Sequence, residues 1–167
     1  PQEDNRVSIA KGIIRAITQT NDGDLWFGSA THGVSRLDSE TGTFTGYQHK
    51  ESDSNSLGNN AISALHQDKA GLLWIATEYG GLSSLNLESK NFTRYQKQHI
   101  TKPGELNDTE VTSIFEDKQG FLWLGTWSGG LNYFDPRSGD FKHYRTSPAN
   151  PRSISSDTVI SLFEDHS

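Results

Sequence analysis

The chain has 167 residues, a length suited to one ordinary domain, with 32% hydrophobic residues and a formal net charge of -6 that is not gathered into blocks. The lack of a basic stripe argues against a nucleic-acid partner, and the lack of cysteine excludes disulfides and thiolate metal sites. No apolar run approaches the ~18 residues that a membrane-spanning helix needs, and residues 1–6 do not have the pattern of a signal peptide.

Aromatic residues and glycines recur at fixed steps along the chain. Trp26, Trp74 and Trp123 are separated by 48 and 49 residues. A further set occurs four times, at the same spacing. It consists of Ile14, Ile62, Val111 and Val159. The same two steps also separate Gly23, Gly71 and Gly120, then Gly33, Gly81 and Gly130, then Phe44, Phe92 and Phe141, then Tyr47, Tyr95 and Tyr144. Three complete repeats and the start of a fourth are therefore predicted.

Each repeat is predicted to form four short strands, because β-branched and aromatic residues cluster in runs bounded by Gly, Asp, Asn and Ser. The second repeat shows the pattern best, with strands predicted at 61–67, 72–77, 81–87 and 91–95. The intervening segments 68–71 and 88–90 predict tight turns, which make the neighbouring strands antiparallel. Four antiparallel strands in a repeat of about 40 to 50 residues are typical of a propeller blade.

The predicted fold class is all-β, a partial β-propeller of three complete four-stranded antiparallel blades plus the first strand of a fourth. The repeat boundaries give an N-terminal extension at 1–8 and blade repeats at 9–56, 57–105 and 106–153. Residues 154–167 begin the fourth repeat, whose inner strand is predicted at 158–163.

The third repeat carries the most specific stretch of sequence. Residues 111–126 read VTSIFEDKQGFLWLGT, and GGLN at 129–132, FDP at 134–136 and FKHY at 141–144 follow. The pattern recurs at 65–82 and, more loosely, at 17–34, and it resembles the two-component regulator propeller repeat. The resemblance implies the periplasmic sensor of a membrane-spanning receptor whose output is a histidine kinase, often a hybrid one, or a diguanylate cyclase. The chain itself contains no kinase, receiver or cyclase motif.

Function is expected where the repeats differ, since identical residues serve the shared frame. The repeated tryptophans and the Phe and Tyr pairs are interpreted as packing. The loop between the second and third strands differs completely, and its candidate ligand-binding residues are His32, Glu78, Tyr79 and Trp127. Aromatic rings that stack on a sugar and a carboxylate that accepts hydroxyl hydrogen bonds suit a carbohydrate or another small molecule. His49, His99 and Lys102 are outer possibilities on the connections between blades.

Two other kinds of function stay open. Exposed aromatic residues also favour protein interfaces, so the chain is alternatively a protein-interaction scaffold. A propeller lyase or hydrolase is the third alternative, although no recurring carboxylate pair, Ser-His-Asp elbow, P-loop or HExxH helix supports one. The six histidines are scattered without ligand spacing, so no metal, no cofactor and no catalytic residue is expected.

Assembly follows from the number of blades. Closed propellers have about four to eight blades, so three blades leave two apolar flanks and a strand edge uncovered. We expect the isolated chain to self-associate, with the strand at 159–162 displaced, disordered or swapped onto a partner. In an intact receptor the remaining blades of the same polypeptide are the expected partners.

Overall fold

The structure is a computed structural model that describes residues 12–97 and 104–165. In these residues twelve strands form three four-stranded antiparallel sheets, and no helix is present. The all-β propeller-blade architecture predicted from the repeats is confirmed. The predicted N-terminal extension at 1–8 lies outside the described residues.

Each sheet takes its four strands from one repeat, in chain order. The first blade consists of β1 (Ile14–Gln19), β2 (Leu25–Ser29), β3 (Val34–Leu37) and β4 (Phe44–Tyr47). The second consists of β5 (Ile62–Gln67), β6 (Leu72–Thr77), β7 (Leu82–Asn86) and β8 (Phe92–Tyr95). The third consists of β9 (Val111–Glu116), β10 (Leu122–Thr126), β11 (Leu131–Phe134) and β12 (Phe141–Tyr144).

The first strands of the three blades lie next to one another, β1 beside β5 and β5 beside β9. They are therefore the inner strands of the propeller, and β4, β8 and β12 are the outer ones.

A positive φ is needed where β6 turns into β7. Gly81 has a φ of +69°, and a Cβ there would lie 2.4 Å from the carbonyl oxygen of Tyr95. Only glycine allows the backbone before β7 to approach the end of β8 so closely.

The core lies at the junctions between blades. Trp26 of blade 1 packs against Leu73, Ile75 and Leu85 of blade 2. Trp74 of blade 2 packs in the same way against blade 3, where it meets Leu122, Leu124 and Phe134. Strand β6 serves both junctions because successive side chains of a strand point to opposite faces. Both tryptophans are 0% exposed, as the packing interpretation predicts.

Each repeated tryptophan also has a fixed acceptor six residues earlier in the chain. The indole Nε1 of Trp74 donates to Oδ2 of Asp68 at 2.7 Å, and that of Trp123 donates to Oδ2 of Asp117 at 3.0 Å. In blade 1 the acceptor is Oγ1 of Thr20, at 3.1 Å from the Trp26 nitrogen. The polar end of each ring is thereby satisfied, which a buried indole requires.

The connections between blades contribute core residues that the sequence analysis missed. Leu57 and Leu106 precede β5 and β9, and both are fully or almost fully buried. Leu106 contacts Gly81 at the junction between blades 2 and 3. The connections are therefore anchored in the core and are not free surface loops. The sequence does contain a signal for these core residues. Positions 57, 106 and 154 are separated by 49 and 48 residues and carry Leu, Leu and Ile.

The start of the fourth repeat lies in the expected place without forming a strand. The Gly130 nitrogen donates to the Asp157 carbonyl at 2.8 Å, and the Val159 nitrogen donates to the Thr126 carbonyl at 2.9 Å. Residues 158–165 nevertheless have no β-ladder. The physical reason is that a first strand of a blade is held by its second strand, and the described residues contain no such strand for the fourth repeat.

Candidate functional site

The loops between the second and third strands lie at the same end of the sheets as the connections between blades. The Gly33 nitrogen donates to the Asn60 carbonyl at 2.9 Å, and the Gly81 nitrogen donates to the Thr109 carbonyl at 2.8 Å. We call this end the loop face. It consists of residues 30–32, 78–80 and 127–129 with the connections 48–60, 104–110 and 145–158. The turns between the first and second strands lie at the opposite end, because adjacent strands are antiparallel.

The three short loops share one backbone frame, held by a buried hydroxyl at the end of the second strand. Oγ1 of Thr77 accepts a hydrogen bond from the Gly80 nitrogen at 2.9 Å and donates to the Gly81 carbonyl at 3.0 Å. Thr126 makes the same two bonds in blade 3. In blade 1 Oγ of Ser29 accepts the Thr31 and His32 nitrogens. The frame is thus constant, while the side chains that it presents differ.

The first residue of each loop lies beside the start of an inner strand. The Glu78 nitrogen donates to the Ala61 carbonyl at 3.0 Å, and the Trp127 nitrogen donates to the Glu110 carbonyl at 3.1 Å. The Glu78 carboxylate also forms an ion pair with Arg15 on β1 of the neighbouring blade. Glu78 and Trp127 therefore lie toward the inner edge of the loop face.

Negative charge is concentrated around Glu110, which has two further carboxylates nearby. The pKa of the Glu110 carboxyl is raised, mainly because burial disfavours its charged form and further because Asp108 and Glu78 carry like charges nearby. Asp108 in turn binds the third loop, since its Oδ2 accepts both the nitrogen and the hydroxyl of Ser128, at 2.7 and 2.8 Å. Glu110 thus accepts the Trp127 nitrogen through its carbonyl, and its carboxyl is affected by the charge of Glu78.

The other two candidate residues are less closely tied to this group. Tyr79 follows Glu78 and is 65% exposed, and Trp127 is 53% exposed, so both rings are open to solvent. His32 lies on blade 1, where its Nδ1 is 2.7 Å from Oγ1 of Thr31. The described contacts join Trp127 to Glu110, whose pKa the charge of Glu78 helps to raise, and they do not join His32 to any of these three residues.

The outer candidates do not extend the site. The ring nitrogen Nδ1 of His49 is 2.7 Å from the Leu57 carbonyl, and the His49 backbone nitrogen donates to Oδ1 of Asn60. His49 therefore holds its own connection in place. His99 and Lys102 lie outside the described residues.

Grooves between adjacent blades open at the end opposite the loop face. One, of about 440 Å³, lies between blades 1 and 2 and is lined by residues such as Asn21, Gln67 and Glu88. Another, of about 260 Å³, lies between blades 2 and 3 beside Lys69, Glu116 and Arg137. In residues 12–97 and 104–165 no cluster of His, Cys, Asp or Glu could hold a metal ion. Over the same ranges no helix is long and apolar enough to span a bilayer.

Comparison with known families matches the repeats directly. The family described as two component regulator propeller matches residues 8–31, 56–79 and 105–128. Each match ends in the short loop after a second strand, so the three matches fall at equivalent places in the three blades. No curated protein sequence matches the chain.

Solved structures of similar fold include sensor domains, a binding protein and an enzyme. The extracellular domain of a hybrid two component system from B. thetaiotaomicron is 28% identical, with a TM-score of 0.78 over 90% of this chain. An auxiliary nutrient binding protein from the same organism is 14% identical, with a TM-score of 0.61 over 81% of this chain and 31% of its own. Virginiamycin B lyase from Staphylococcus aureus is 19% identical, with a TM-score of 0.57 over 78% of this chain and 40% of its own.

The last two likenesses, at these low identities, show the fold alone. The chain spans 20% of the length of the extracellular domain that it resembles at 28% identity. The three matched segments coincide with the three blades, so the chain carries three two component regulator propeller repeats.

Proposed function

We propose that the chain is a ligand-binding segment of an extracytoplasmic sensor propeller and that its loop face binds a carbohydrate or another small molecule. The observation that carries the proposal is the contrast within the loop face. One buried hydroxyl frame presents Ala-Thr-His in blade 1, Glu-Tyr-Gly in blade 2 and Trp-Ser-Gly in blade 3. A single asymmetric ligand needs unlike side chains on a rigid support.

The chemistry of the exposed side chains suits a sugar. Tyr79 and Trp127 offer flat apolar rings to solvent, and such rings stack on the apolar face of a pyranose. The Arg15–Glu78 ion pair supplies hydrogen-bond donors and acceptors within the same region of the loop face. Sugar hydroxyls pair with both kinds of group, so this region matches a ring that is apolar on its faces and polar at its edge.

The receptor context is part of the same proposal. The 28% identical neighbour is the extracellular domain of a hybrid two component system, which supports a periplasmic sensor segment coupled to a histidine kinase. A diguanylate cyclase is the other output that the family resemblance implies. The blades that complete the ring then belong to the same polypeptide, and the segment itself carries no catalysis.

A protein-interaction scaffold is the second candidate. The observation that favours it is the exposure of Tyr79 and Trp127, because exposed aromatic side chains are enriched at protein interfaces. The two functions differ in what they require of a small molecule, since a scaffold binds none at this face. One titration therefore separates them.

The test is a titration of the chain with a panel of neutral and acidic oligosaccharides, followed by tryptophan fluorescence and calorimetry. We expect one member of the panel to bind, and Trp127→Ala or Tyr79→Ala to abolish that binding with little change in stability. Phe163→Ala is the matched control, because Phe163 is an exposed aromatic residue away from the loop face. Binding that survives both loop variants, or that Phe163→Ala removes, would contradict the assigned site. If no member of the panel binds, the carbohydrate proposal fails.

A further inference from the structure

At the inner edge of the loop face, each blade has one opposed pair of residues beyond the ladder of its first two strands. In blade 3 the ladder ends with Thr126 opposite Val111, and Trp127 and Glu110 follow. The Trp127 nitrogen donates to the Glu110 carbonyl at 3.1 Å. Opposed residues of an antiparallel pair carry their side chains on the same side, with Cβ atoms about 4.5 to 5.5 Å apart. The Glu110 carboxylate and the Trp127 indole are therefore neighbours.

The residues of this opposed pair differ from blade to blade. Blade 1 has Ala30 opposite Ile13, and blade 2 has Glu78 opposite Ala61, each joined by the same bond from nitrogen to carbonyl. Glu110 therefore occupies a variable position, like the candidate residues of the short loops. The sequence analysis did not include it, because it compared only the loops after the second strands and the long connections.

Glu110 differs from the neighbouring carboxylates in having no donor. Glu78 is paired with Arg15, and Asp108 accepts the nitrogen and the hydroxyl of Ser128. In the described part of the chain, no group donates a hydrogen bond to the Glu110 carboxylate, and the charges that act on it are those of Asp108 and Glu78. A cation in contact with Glu110 would offset both this repulsion and the cost of its partial burial.

Trp127 presents a second group that attracts cations. Its ring is 53% exposed, and the face of an indole attracts a positive charge. Its backbone is held on both sides, since its nitrogen donates to Glu110 and its carbonyl accepts Oγ1 of Thr158 at 2.7 Å. An exposed indole on fixed backbone beside a carboxylate without a donor is a combination that suits an ammonium group.

We propose that the ligand of the loop face carries a cationic amine, as an unacetylated amino sugar does, and that this amine binds between the Glu110 carboxylate and the Trp127 ring. The inference rests on the proposed function, because the amine is one substituent of the sugar that the loop face binds. Stacking on Tyr79 and Trp127 does not require the charge, so a neutral counterpart still binds, more weakly. An acidic sugar binds worst, because Asp108, Glu78 and Glu110 repel it.

The test is calorimetric titration near neutral pH with three tetrasaccharides that differ in charge: one of glucosamine, one of N-acetylglucosamine and one of galacturonate. We expect the wild-type chain to bind the glucosamine compound roughly tenfold more tightly than the acetylated one, because a hydrogen bond to a charged group adds affinity. Added salt should reduce this preference. The galacturonate compound should bind most weakly.

Glu110→Gln should abolish the preference for the amine and leave the affinity for the acetylated tetrasaccharide unchanged. A merely structural role of Glu110 would lower both affinities together. The matched control is Glu51→Gln, which removes the same charge from an exposed residue on the connection between blades 1 and 2. This variant should keep the preference.

Three results would overturn the proposal and leave sugar binding at the loop face intact. They are equal affinities of the wild-type chain for the glucosamine and acetylated compounds, a preference that survives Glu110→Gln, and a preference that Glu51→Gln removes as well. The last would show that the overall charge of the loop face, and not a contact with Glu110, selects the amine. Binding of none of the three tetrasaccharides would overturn this proposal together with the carbohydrate ligand.

Discussion

Trp74 and Trp123 occupy the same position in successive repeats, yet they lie in different surroundings. Both donate their indole hydrogen to an aspartate six residues earlier, and both follow a buried Leu on the second strand. Trp74 is 0% exposed because blade 3 covers it, whereas Trp123 faces no further described blade and is only partly buried. The repeat motif therefore specifies the blade, and the neighbouring blade determines what the ring contributes to stability.

The largest expected effect compares these two rings. Trp74→Ala should lower the free energy of unfolding by about 3 to 5 kcal/mol, since it empties a closed junction, while Trp123→Ala should cost roughly half as much or less. Urea denaturation of the monomeric chain measures both. Equal losses of unfolding free energy would show that the Trp123 ring is covered as completely as the Trp74 ring.

The aspartates that accept the indole hydrogens of Trp74 and Trp123 allow a second comparison of the two blades. Asp68 is buried and accepts the Leu72 nitrogen at 2.9 Å as well as the Trp74 indole. Asp68→Ala should cost about 2 to 3 kcal/mol, because it leaves buried donors unsatisfied. Asp117→Ala removes matching bonds at the open side, where water can replace the carboxylate, and should cost less. An Asp117→Ala loss as large as that of Asp68→Ala in urea melts would argue against this difference in solvent access.

The ion pair across the first junction should have a smaller effect. Arg15 and Glu78 are both partly exposed, and pairs of this kind contribute about 0.2 to 1 kcal/mol. A double-mutant cycle with Arg15→Gln and Glu78→Gln should give a coupling in that range that decreases with added salt. A coupling energy of zero at low salt would show that the pair does not fasten β1 to blade 2.

The smallest expected effect is a pH dependence at Glu110. Its pKa is raised in the folded state by burial and by the charges of Asp108 and Glu78. A raised carboxyl pKa favours the protonated form, so its contribution to stability is present below the unfolded pKa and is lost as pH rises through the folded one. Glu110→Gln should therefore gain stability relative to the wild type between about pH 4 and pH 7. A constant difference across that range would contradict the raised pKa.

Much of the frame could be predicted because it repeats. For blade 2 the predicted strands 61–67, 72–77, 81–87 and 91–95 agree with β5 to β8 within a residue at each end. Phe92 and Tyr95 pack as interpreted, and they lie on opposite faces of β8, since one packs toward blade 1 and the other toward blade 3.

What could not be predicted depends on neighbours that a repeat pattern does not contain. The fourth repeat carries the motif of an inner strand but has no described second strand to pair with, so residues 158–165 form no ladder. For the candidate site, the repeat pattern predicted which loop positions vary and that these loops lie at one end of the sheets. It gave neither the Arg15–Glu78 ion pair nor the proximity of Glu110, because both join different blades. The ligand-binding role of His32, Glu78, Tyr79 and Trp127 stays a prediction.

Hydrogen exchange at the tryptophan indoles tests the account most directly. It distinguishes rings in the junctions between blades, the ring on the uncovered side of blade 3 and the ring on the loop face. The chain has four tryptophans, so a ¹H–¹⁵N spectrum of the monomeric protein resolves all four signals at once. The structure predicts the slowest exchange at Trp26 and Trp74, intermediate exchange at Trp123 and the fastest at Trp127. Protection of Trp127 equal to that of Trp74 would contradict its place on an open loop face. Protection of Trp123 equal to that of Trp74 would contradict the open face of blade 3.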